Sequence, residues 1–297
     1  MIFENILTAL ITPFKNDRID YSSLEKLIHR QIDAGIGTVI AGGSTGEGNS
    51  LSEDEYFDLI AKCVDFAGGN IQVVAGLAGV STNYVCDKIN QLSQLKIDGL
   101  MCTTPHYIKP EQEGLYRHFA AVSEISKVPI MVYINPGRTG CDLSDDIILK
   151  ISAFEQIKAI KDCSNDLEKP LRLHGFVKED LNFLTGDDSR LLAYSANGGK
   201  GCVSVLSNIF PKLCLKINQY CRLNDFKSAL NLQQELMIII GGIFSESNPI
   251  GIKCAAELLK LCDGEIRIPL TKANNSTARK IQNSLDQITV LENNVRL

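Results

Sequence analysis

Three kinds of reactive side chain stand at the ends of short apolar segments: a lysine, a tyrosine and a pair of hydroxyls. Lys161 closes an apolar run, and period-two alternation would put Ile157, Ala159 and Lys161 on one face of a strand. If that face is buried, desolvation lowers the pKa of Lys161 and leaves the neutral amine that imine formation requires. The residues alone fit an ordinary solvated lysine better, because most lysines lie on the surface.

The tyrosine and the hydroxyl pair could move protons and hold an anion. Tyr133 ends an apolar segment, and proton exchange with an imine or enamine needs such a hydroxyl within hydrogen-bond reach. A core tyrosine with a satisfied hydroxyl is the commoner alternative. Ser44 and Thr45 lie between glycines, where two hydroxyls and exposed backbone N–H groups could cradle a carboxylate. A plain strand-to-helix turn remains the alternative there.

The same turn, Gly42–Gly46, also matches the G-x-S-x-G elbow of serine hydrolases. That triad needs a late histidine, but the last histidine of this chain is His174, so the hydrolase hypothesis is disfavoured. The four histidines form no H-x-x-x-H or H-E-x-x-H pattern, and the cysteines form no C-x-x-C pair. The sequence therefore predicts no metal.

These groups have to be positioned by a regular framework. Apolar segments rich in Val and Ile alternate with amphipathic helical stretches at about thirty-residue intervals, which is typical of βα units. Eight units predict a (β/α)8 barrel, a fold that places catalytic residues at the carboxyl ends of its strands. An open doubly wound sheet is less favoured because no dinucleotide or P-loop glycine motif follows a strand. The predicted strands are Ile6–Thr12, Thr38–Gly42, Ile71–Gly76, Gly99–Thr103, Pro129–Ile134, Ile157–Lys161, Asn182–Thr185 and Gly201–Ser204.

The tail of the chain is too long for a plain barrel. Three further helical stretches, Phe226–Phe244, Pro249–Leu261 and Lys272–Val290, follow the eighth strand without a low-complexity linker. We expect a barrel over residues 1–224 and a C-terminal helical region over residues 225–297 that packs on it.

Composition narrows the class of protein. With 44% hydrophobic residues, the 297-residue chain can bury a large core. A net charge of −5 gives no cationic field for nucleic acid, and no apolar run reaches the length of a membrane span. The amino terminus lacks the features of a signal peptide, and the ten cysteines are scattered singly. We expect a cytosolic protein with reduced thiols.

Taken together, the strand-end motifs resemble the dihydrodipicolinate synthase and N-acetylneuraminate lyase superfamily from Leu7 to about Arg267. A chance match to all of these motifs in order is implausible. They are Thr8–Phe14, Gly43–Glu47, Thr104–Tyr107, Tyr133–Gly140, Ile160–Asp162 and Gly186–Asp188.

The resemblance implies a role for each residue. Lys161 would form the Schiff base, and Tyr133 would donate and accept protons. Ser44, at a position that is usually Thr in the synthases, would relay protons towards Tyr107, which reaches in from a neighbouring subunit. Thr45 and the backbone at Val203 would hold the pyruvate carboxylate.

Arg138 would distinguish the two branches of the superfamily, because the lyases lack it and a guanidinium can grip the carboxylate of aspartate semialdehyde.

The implied reaction is aldol condensation of pyruvate with aspartate 4-semialdehyde, giving 4-hydroxy-tetrahydrodipicolinate on the route to diaminopimelate and lysine. No cofactor is implied, and the expected assembly is a homotetramer built from dimers. A sugar-acid or N-acetylneuraminate-type aldolase is the alternative, since the lyases share Gly43-Ser44-Thr45. An inactive keto-acid-binding scaffold is the non-enzymatic alternative.

Regulation by lysine is common among bacterial synthases that this chain resembles, but the regulatory positions differ here. The places that hold the effector in lysine-sensitive relatives read Val80, Tyr84, Tyr56 and His106. Val80 cannot hydrogen-bond a carboxylate, and Tyr84 cannot supply a negative charge for an ammonium group. We therefore expect weak inhibition or none, although Glu53 lies near and could partly replace the charge.

Overall fold

Eight parallel strands close into a barrel in the computed structural model, which describes residues 2–297. Each barrel strand pairs with the next along the chain, and the first pairs with the last, so the expected (β/α)8 barrel is confirmed. The barrel strands are β1 (Asn5–Ala9), β4 (Thr38–Ala41), β5 (Gln72–Leu77), β6 (Gly99–Thr103), β7 (Ile130–Ile134), β8 (Ile157–Asp162), β9 (Asn182–Thr185) and β10 (Gly201–Ser204).

Helices follow the strands, and their starts agree with local capping signals. Asp20 caps the first helix by accepting a hydrogen bond from the backbone N–H of Ser23, and Ser52 and Glu55 form a reciprocal capping box at the start of the second. The helices are α1 (Tyr21–Ala34), α2 (Glu53–Ala67), α3 (Thr82–Leu92), α4 (Gln112–Ile125), α5 (Pro136–Thr139), α6 (Asp145–Ser152), α7 (Lys169–Leu173), α8 (Leu191–Ala196), α9 (Pro211–Arg222), α10 (Phe226–Ile243), α11 (Ile250–Leu258) and α12 (Asn275–Asn294).

Two apolar layers separate the inside of the barrel from the helix-covered outside. The inner cluster contains one or two side chains from each strand, among them Met101, Tyr133, Ala159 and Val203. The residues between them in sequence, such as Cys102, point outward into the larger cluster under the helices. Apart from one bulge, alternate residues along the strands therefore face the barrel interior, as period-two geometry requires.

The alternation breaks at one point of β8, and one sequence expectation is wrong there. Ile130 pairs with Ile157, but Met131 pairs with Ala159, so Lys158 is skipped in the register. This bulge turns Ile157 outward into the helix-covered layer, whereas Ala159 stays inside. Ile157 does not share the inner face with Lys161.

The first strand is shorter than expected, and a hairpin that the sequence did not predict follows it. The strand ends at Ala9 rather than Thr12, and a two-stranded ribbon of β2 (Phe14–Lys15) and β3 (Arg18–Ile19) follows Pro13. The turn residues Asn16 and Asp17 have φ values of 53° and 57°, as a type I′ turn requires.

The C-terminal helices α10 to α12 pack against one another and against the barrel helices α8 and α9. Glu292 of α12 caps the amino end of α9, where it accepts hydrogen bonds from the backbone N–H groups of Lys212 at 3.0 Å and Leu213 at 2.9 Å. Within residues 2–297, every helix is too short or too polar to cross a bilayer.

Candidate active site

A cavity of about 370 Å³ opens at the carboxyl ends of the barrel strands, where this fold places catalytic groups. Three of the residues predicted from the sequence, Ser44, Tyr133 and Arg138, line it together. The other lining residues are Glu47, Gly48, Asn49, Ser50, Ala78, Thr103, His106, Asn135, Thr139, Asn248 and Leu270.

Lys161 lies inside the barrel next to Tyr133, and it does not itself line this cavity. Its side chain is 6% exposed, and its Nζ atom is 4.0 Å from the centre of the Tyr133 ring. Burial lowers the pKa of Lys161, and the positive charge of Arg138 acts in the same direction. A larger fraction of the amine is therefore unprotonated near neutral pH than in a solvated lysine.

The narrow channel for the Lys161 side chain depends on a glycine. A Cβ atom at Gly186 would lie 2.6 Å from Cε of Lys161 and 2.2 Å from Sγ of Cys163. Both distances are too short for non-bonded contact, so Gly186 gives the lysine stem the room that it occupies.

The phenol of Tyr133 is held at a fixed place. Nδ2 of Asn135 donates a hydrogen bond of 2.8 Å to the Tyr133 hydroxyl oxygen, and Cys163 Sγ lies 3.9 Å from the same oxygen. Burial raises the pKa of Tyr133, so the phenol stays protonated over the physiological range. A protonated, oriented phenol can donate a proton to a developing oxyanion.

The turn that carries Ser44 and Thr45 is held by contacts from the segment after β1 and from the C-terminal region. Thr12 Oγ1 donates a 2.7 Å hydrogen bond to the carbonyl of Gly46. Glu47 is buried, and its carboxylate accepts from Nζ of Lys253 and, at 3.1 Å, from the backbone N–H of Arg267. The C-terminal region therefore holds the turn that follows the second barrel strand.

Asn248, in the loop between α10 and α11, joins two of the predicted substrate-binding residues. Its Nδ2 donates to Oγ1 of Thr45 at 2.9 Å, and its backbone carbonyl accepts from Nη2 of Arg138 at 2.8 Å. Because Thr45 Oγ1 is the acceptor, its own proton remains available to a ligand carboxylate. Arg138 is exposed and uses one N–H here, which leaves further donors for an anion.

Val203 lies inside the barrel on β10, and the structure shows what fixes it. The buried Asp188 accepts hydrogen bonds from the Ser204 hydroxyl and from the backbone N–H groups of Val205 at 2.9 Å and Leu206 at 3.0 Å. Burial raises the pKa of Asp188. The carboxyl thus holds the chain directly after Val203.

The side chain of Tyr107 does not line this cavity in its own chain. Its side chain is 87% exposed, and its φ of 71° lies in the left-handed region, where a non-glycine residue is uncommon. The ring projects from the surface beside His106, which does line the cavity.

A second cavity, of about 430 Å³, adjoins the first and shares Gly48, Asn49, Ala78 and His106 with it. The four positions expected to replace a lysine-binding set, Val80, Tyr84, Tyr56 and His106, line it together. The side chain of Lys88 also lines it, with Nζ 4.4 Å from the ring centre of Tyr56 and 5.0 Å from that of Tyr84.

Several residues that build the site carry no clear signal in the sequence. Asn248 and Lys253 come from a helical region more than a hundred residues away, and no local pattern ties them to Thr45 and Glu47. Asn135 could have been found as the polar residue two positions after Tyr133. Across residues 2–297, no group of three or more His, Cys, Asp or Glu side chains is placed to hold a metal.

Comparison with known proteins gives one consistent set of matches. The model of the dihydrodipicolinate synthetase family matches residues 2–288. A protein named 4-hydroxy-tetrahydrodipicolinate synthase from Rickettsia felis is 42% identical over 289 residues, which cover 97% of this chain and 98% of that protein.

Solved structures agree with the sequence matches. The dihydrodipicolinate synthase from Aquifex aeolicus has a TM-score of 0.94 at 32% identity, covering 97% of this chain and 98% of that one. The chloride-inhibited dihydrodipicolinate synthase from Acinetobacter baumannii, complexed with pyruvate, has a TM-score of 0.93 at 31% identity, covering 98% and 100%. The similarity therefore extends over almost the whole chain.

Proposed function

The chain belongs to the dihydrodipicolinate synthetase family of Schiff-base aldolases, and we propose that Lys161 is the amine through which it works. The reaction is the condensation of pyruvate with aspartate 4-semialdehyde to 4-hydroxy-tetrahydrodipicolinate, a step towards diaminopimelate and lysine. One observation carries the proposal: the buried amine of Lys161 lies against the ring of Tyr133, and Tyr133 in turn lines a cavity together with Arg138.

The first step is imine formation. The neutral amine of Lys161 attacks the keto carbon of pyruvate, and water leaves after proton transfer to the carbonyl oxygen. Tyr133 is the donor of that proton, because its phenol stays protonated and lies against the amine. The hydroxyl of Thr45, whose oxygen already accepts from Asn248, and the backbone at Val203 hold the pyruvate carboxylate.

Carbon–carbon bond formation follows. The Tyr133 phenolate left by the first step removes a methyl proton, which converts the imine to an enamine with the iminium as the electron sink and restores the phenol. The enamine carbon then attacks the aldehyde. Tyr133 returns a proton to the aldehyde oxygen as it becomes a hydroxyl. The amino group of the second substrate then displaces Lys161 and closes the ring, which frees the lysine for another turnover.

Proton exchange with solvent is proposed to pass from Tyr133 through Ser44 to Tyr107 of a neighbouring subunit. Ser44 and Tyr133 line the same cavity, whereas Tyr107 projects outward from its own chain. An exposed aromatic beside the cavity fits a residue that completes a neighbour's site. The proposal requires at least a dimer, and we propose a homotetramer built from two dimers.

Arg138 supports aspartate semialdehyde over a sugar aldehyde as the second substrate. Its guanidinium stands at the cavity with donors to spare, and a carboxylate is the partner that its planar fork matches. A 2-keto-3-deoxy sugar acid would bring hydroxyl groups to this end of the cavity instead. The ten free thiols agree with a proposed location in the cytosol.

A substrate comparison tests this proposal. Purified protein is assayed for pyruvate-dependent consumption of aspartate 4-semialdehyde and, in parallel, of N-acetylmannosamine and glyceraldehyde. We expect turnover with the semialdehyde and at least a hundredfold lower kcat/KM for the sugars, in line with the loss of a charge-assisted contact. Preferential turnover of a sugar would instead identify a sugar-acid aldolase. Absence of turnover with any aldehyde would favour the inactive keto-acid-binding scaffold.

A further inference from the structure

Thr103 occupies a place in the barrel mouth to which neither the motifs nor the proposed mechanism gives a role. It is the last residue of β6 and pairs in register with Tyr133 on β7. Met101, two residues earlier, belongs to the inner cluster, and Cys102 belongs to the outer one. Strand alternation therefore directs the Thr103 side chain inward, beside Tyr133.

The hydroxyl of Thr103 is buried without a hydrogen-bond partner. The side chain is 8% exposed, and within residues 2–297 its Oγ1 makes no hydrogen bond. Nearby threonines differ, because Thr104 Oγ1 donates to Thr139 Oγ1 at 3.1 Å and Thr12 Oγ1 donates to a backbone carbonyl. Buried hydroxyls are nearly always paired, so the orphaned one points to a partner that binds from outside the chain.

The place of Thr103 indicates which substrate supplies that partner. Thr103 lines the 370 Å³ cavity together with Arg138, Ser44 and Tyr133, whereas Lys161 is not among the lining residues. Because Arg138 is proposed to bind the carboxylate of aspartate semialdehyde, this cavity is the space for the second substrate. The polar atom of that substrate that must come close to Tyr133 is the aldehyde oxygen, because the phenol protonates it.

We propose that Thr103 is a further substrate-contacting residue, whose hydroxyl donates a hydrogen bond to the aldehyde oxygen of aspartate semialdehyde beside the phenol of Tyr133. The inference rests on the proposed function. Negative charge grows on that oxygen as the enamine attacks, and a neutral hydroxyl aimed at it stabilises the transition state more than the ground state. Within residues 2–297 the same hydroxyl makes no hydrogen bond, and a buried hydroxyl without one lowers the free energy of unfolding.

A valine substitution separates the two effects, since Thr103→Val removes the hydroxyl and keeps the shape of the side chain. We expect kcat/KM for aspartate semialdehyde to fall by about tenfold, the factor expected from one ordinary hydrogen bond. The melting temperature should rise by about 2 °C, because a buried unpaired hydroxyl has been removed. The rate at which borohydride traps the pyruvate adduct should not change. Thr103→Ser should keep most of the activity.

Thr104→Val is the matched control for stability. Its hydroxyl is paired with Thr139, so we expect that variant to melt below the wild type, opposite in sign to Thr103→Val. Full kcat/KM in Thr103→Val overturns the inference. Loss of activity together with a lower melting temperature, or failure to fold, makes the hydroxyl structural and also overturns it. Absence of any pyruvate adduct in the wild type refutes the proposed function itself, which is a separate result.

Discussion

Lys161 places its Nζ atom 4.0 Å from the centre of the Tyr133 ring, and both side chains are almost completely buried. The ring helps to keep water from the amine, while its hydroxyl accepts a hydrogen bond from Nδ2 of Asn135. One residue therefore helps to desolvate the nucleophile and also presents the phenol that moves protons. These two contributions can be separated by substitution.

Tyr133→Phe should keep the ring and lose the proton donor. We expect kcat for the condensation to fall by a factor of about 10² to 10⁴, the usual range for a general acid–base group. The pyruvate adduct should still form on Lys161, more slowly, because the amine remains buried. Stopped assays of product and mass spectrometry of the reduced adduct measure the two steps.

Tyr116→Phe provides the control for that variant, because Tyr116 lies on α4 and packs against Phe154 away from the cavity. Its turnover should match the wild type. If Tyr133→Phe condenses the two substrates at the wild-type rate, Tyr133 is not the proton donor and the mechanism needs another acid.

Much of the framework could be predicted from the sequence because its signals are local. Short apolar segments marked all eight barrel strands, and Ser52 followed by Glu55 three residues later is typical of a helix start. The inward position of Lys161 was also predicted, although for β8 the assumed alternation fails at Ile157. A bulge depends on the register with the neighbouring strand, which a single segment does not encode.

The supporting contacts could not be predicted, because they join distant parts of the chain. Lys253 reaches Glu47, and Asn248 reaches Thr45, only after the C-terminal helices dock on the barrel. The short hairpin after Pro13 was missed because Asn16 and Asp17 are not the usual Asn-Gly or Asp-Gly pair. The division at residues 224 and 225 and the roles of the site residues stay predictions.

Arg138→Ala should damage the use of the second substrate and spare the first. Loss of a charge-assisted pair costs on the order of 2–5 kcal/mol when the partner charge stays buried, so kcat/KM for aspartate semialdehyde should fall at least about thirtyfold. Trapping of the pyruvate adduct should be preserved. Arg117→Ala, which breaks an exposed pair with Glu113, is the control and should leave kinetics unchanged. Normal condensation by Arg138→Ala would remove the main support for the semialdehyde and favour the sugar-acid aldolase.

Free lysine should inhibit weakly or not at all. In the second cavity, Lys88 already holds an ammonium group against Tyr56 and Tyr84, so a second cation would meet a like charge. The two contacts missing at Val80 and Tyr84 are worth roughly 1–3 kcal/mol each, enough to weaken binding a hundredfold. We expect a flat rate as lysine is raised to millimolar levels, and greater sensitivity in Lys88→Met. Half-inhibition of the wild type below millimolar lysine would show that other residues recognise the effector.

Lys253→Met should destabilise the fold by about 3–5 kcal/mol, because it leaves the buried Glu47 carboxylate without its charged partner. Converting both residues, as Glu47→Gln with Lys253→Met, should recover most of that loss. Denaturant unfolding of the three proteins measures the difference. Lys62→Met, which breaks an exposed pair with Asp65, should change stability by less than about 0.5 kcal/mol. A Lys253→Met variant as stable as the wild type would show that the pair does not hold the turn.

Imine formation by Lys161 is tested most directly by borohydride reduction in the presence of pyruvate. The protein is incubated with pyruvate and sodium borohydride, digested, and mapped by mass spectrometry, with Lys161→Arg and a sample without pyruvate as controls. We predict one pyruvyl adduct, on the peptide containing Lys161, that is absent from both controls. An adduct on another lysine, or none in the wild type, would contradict the account.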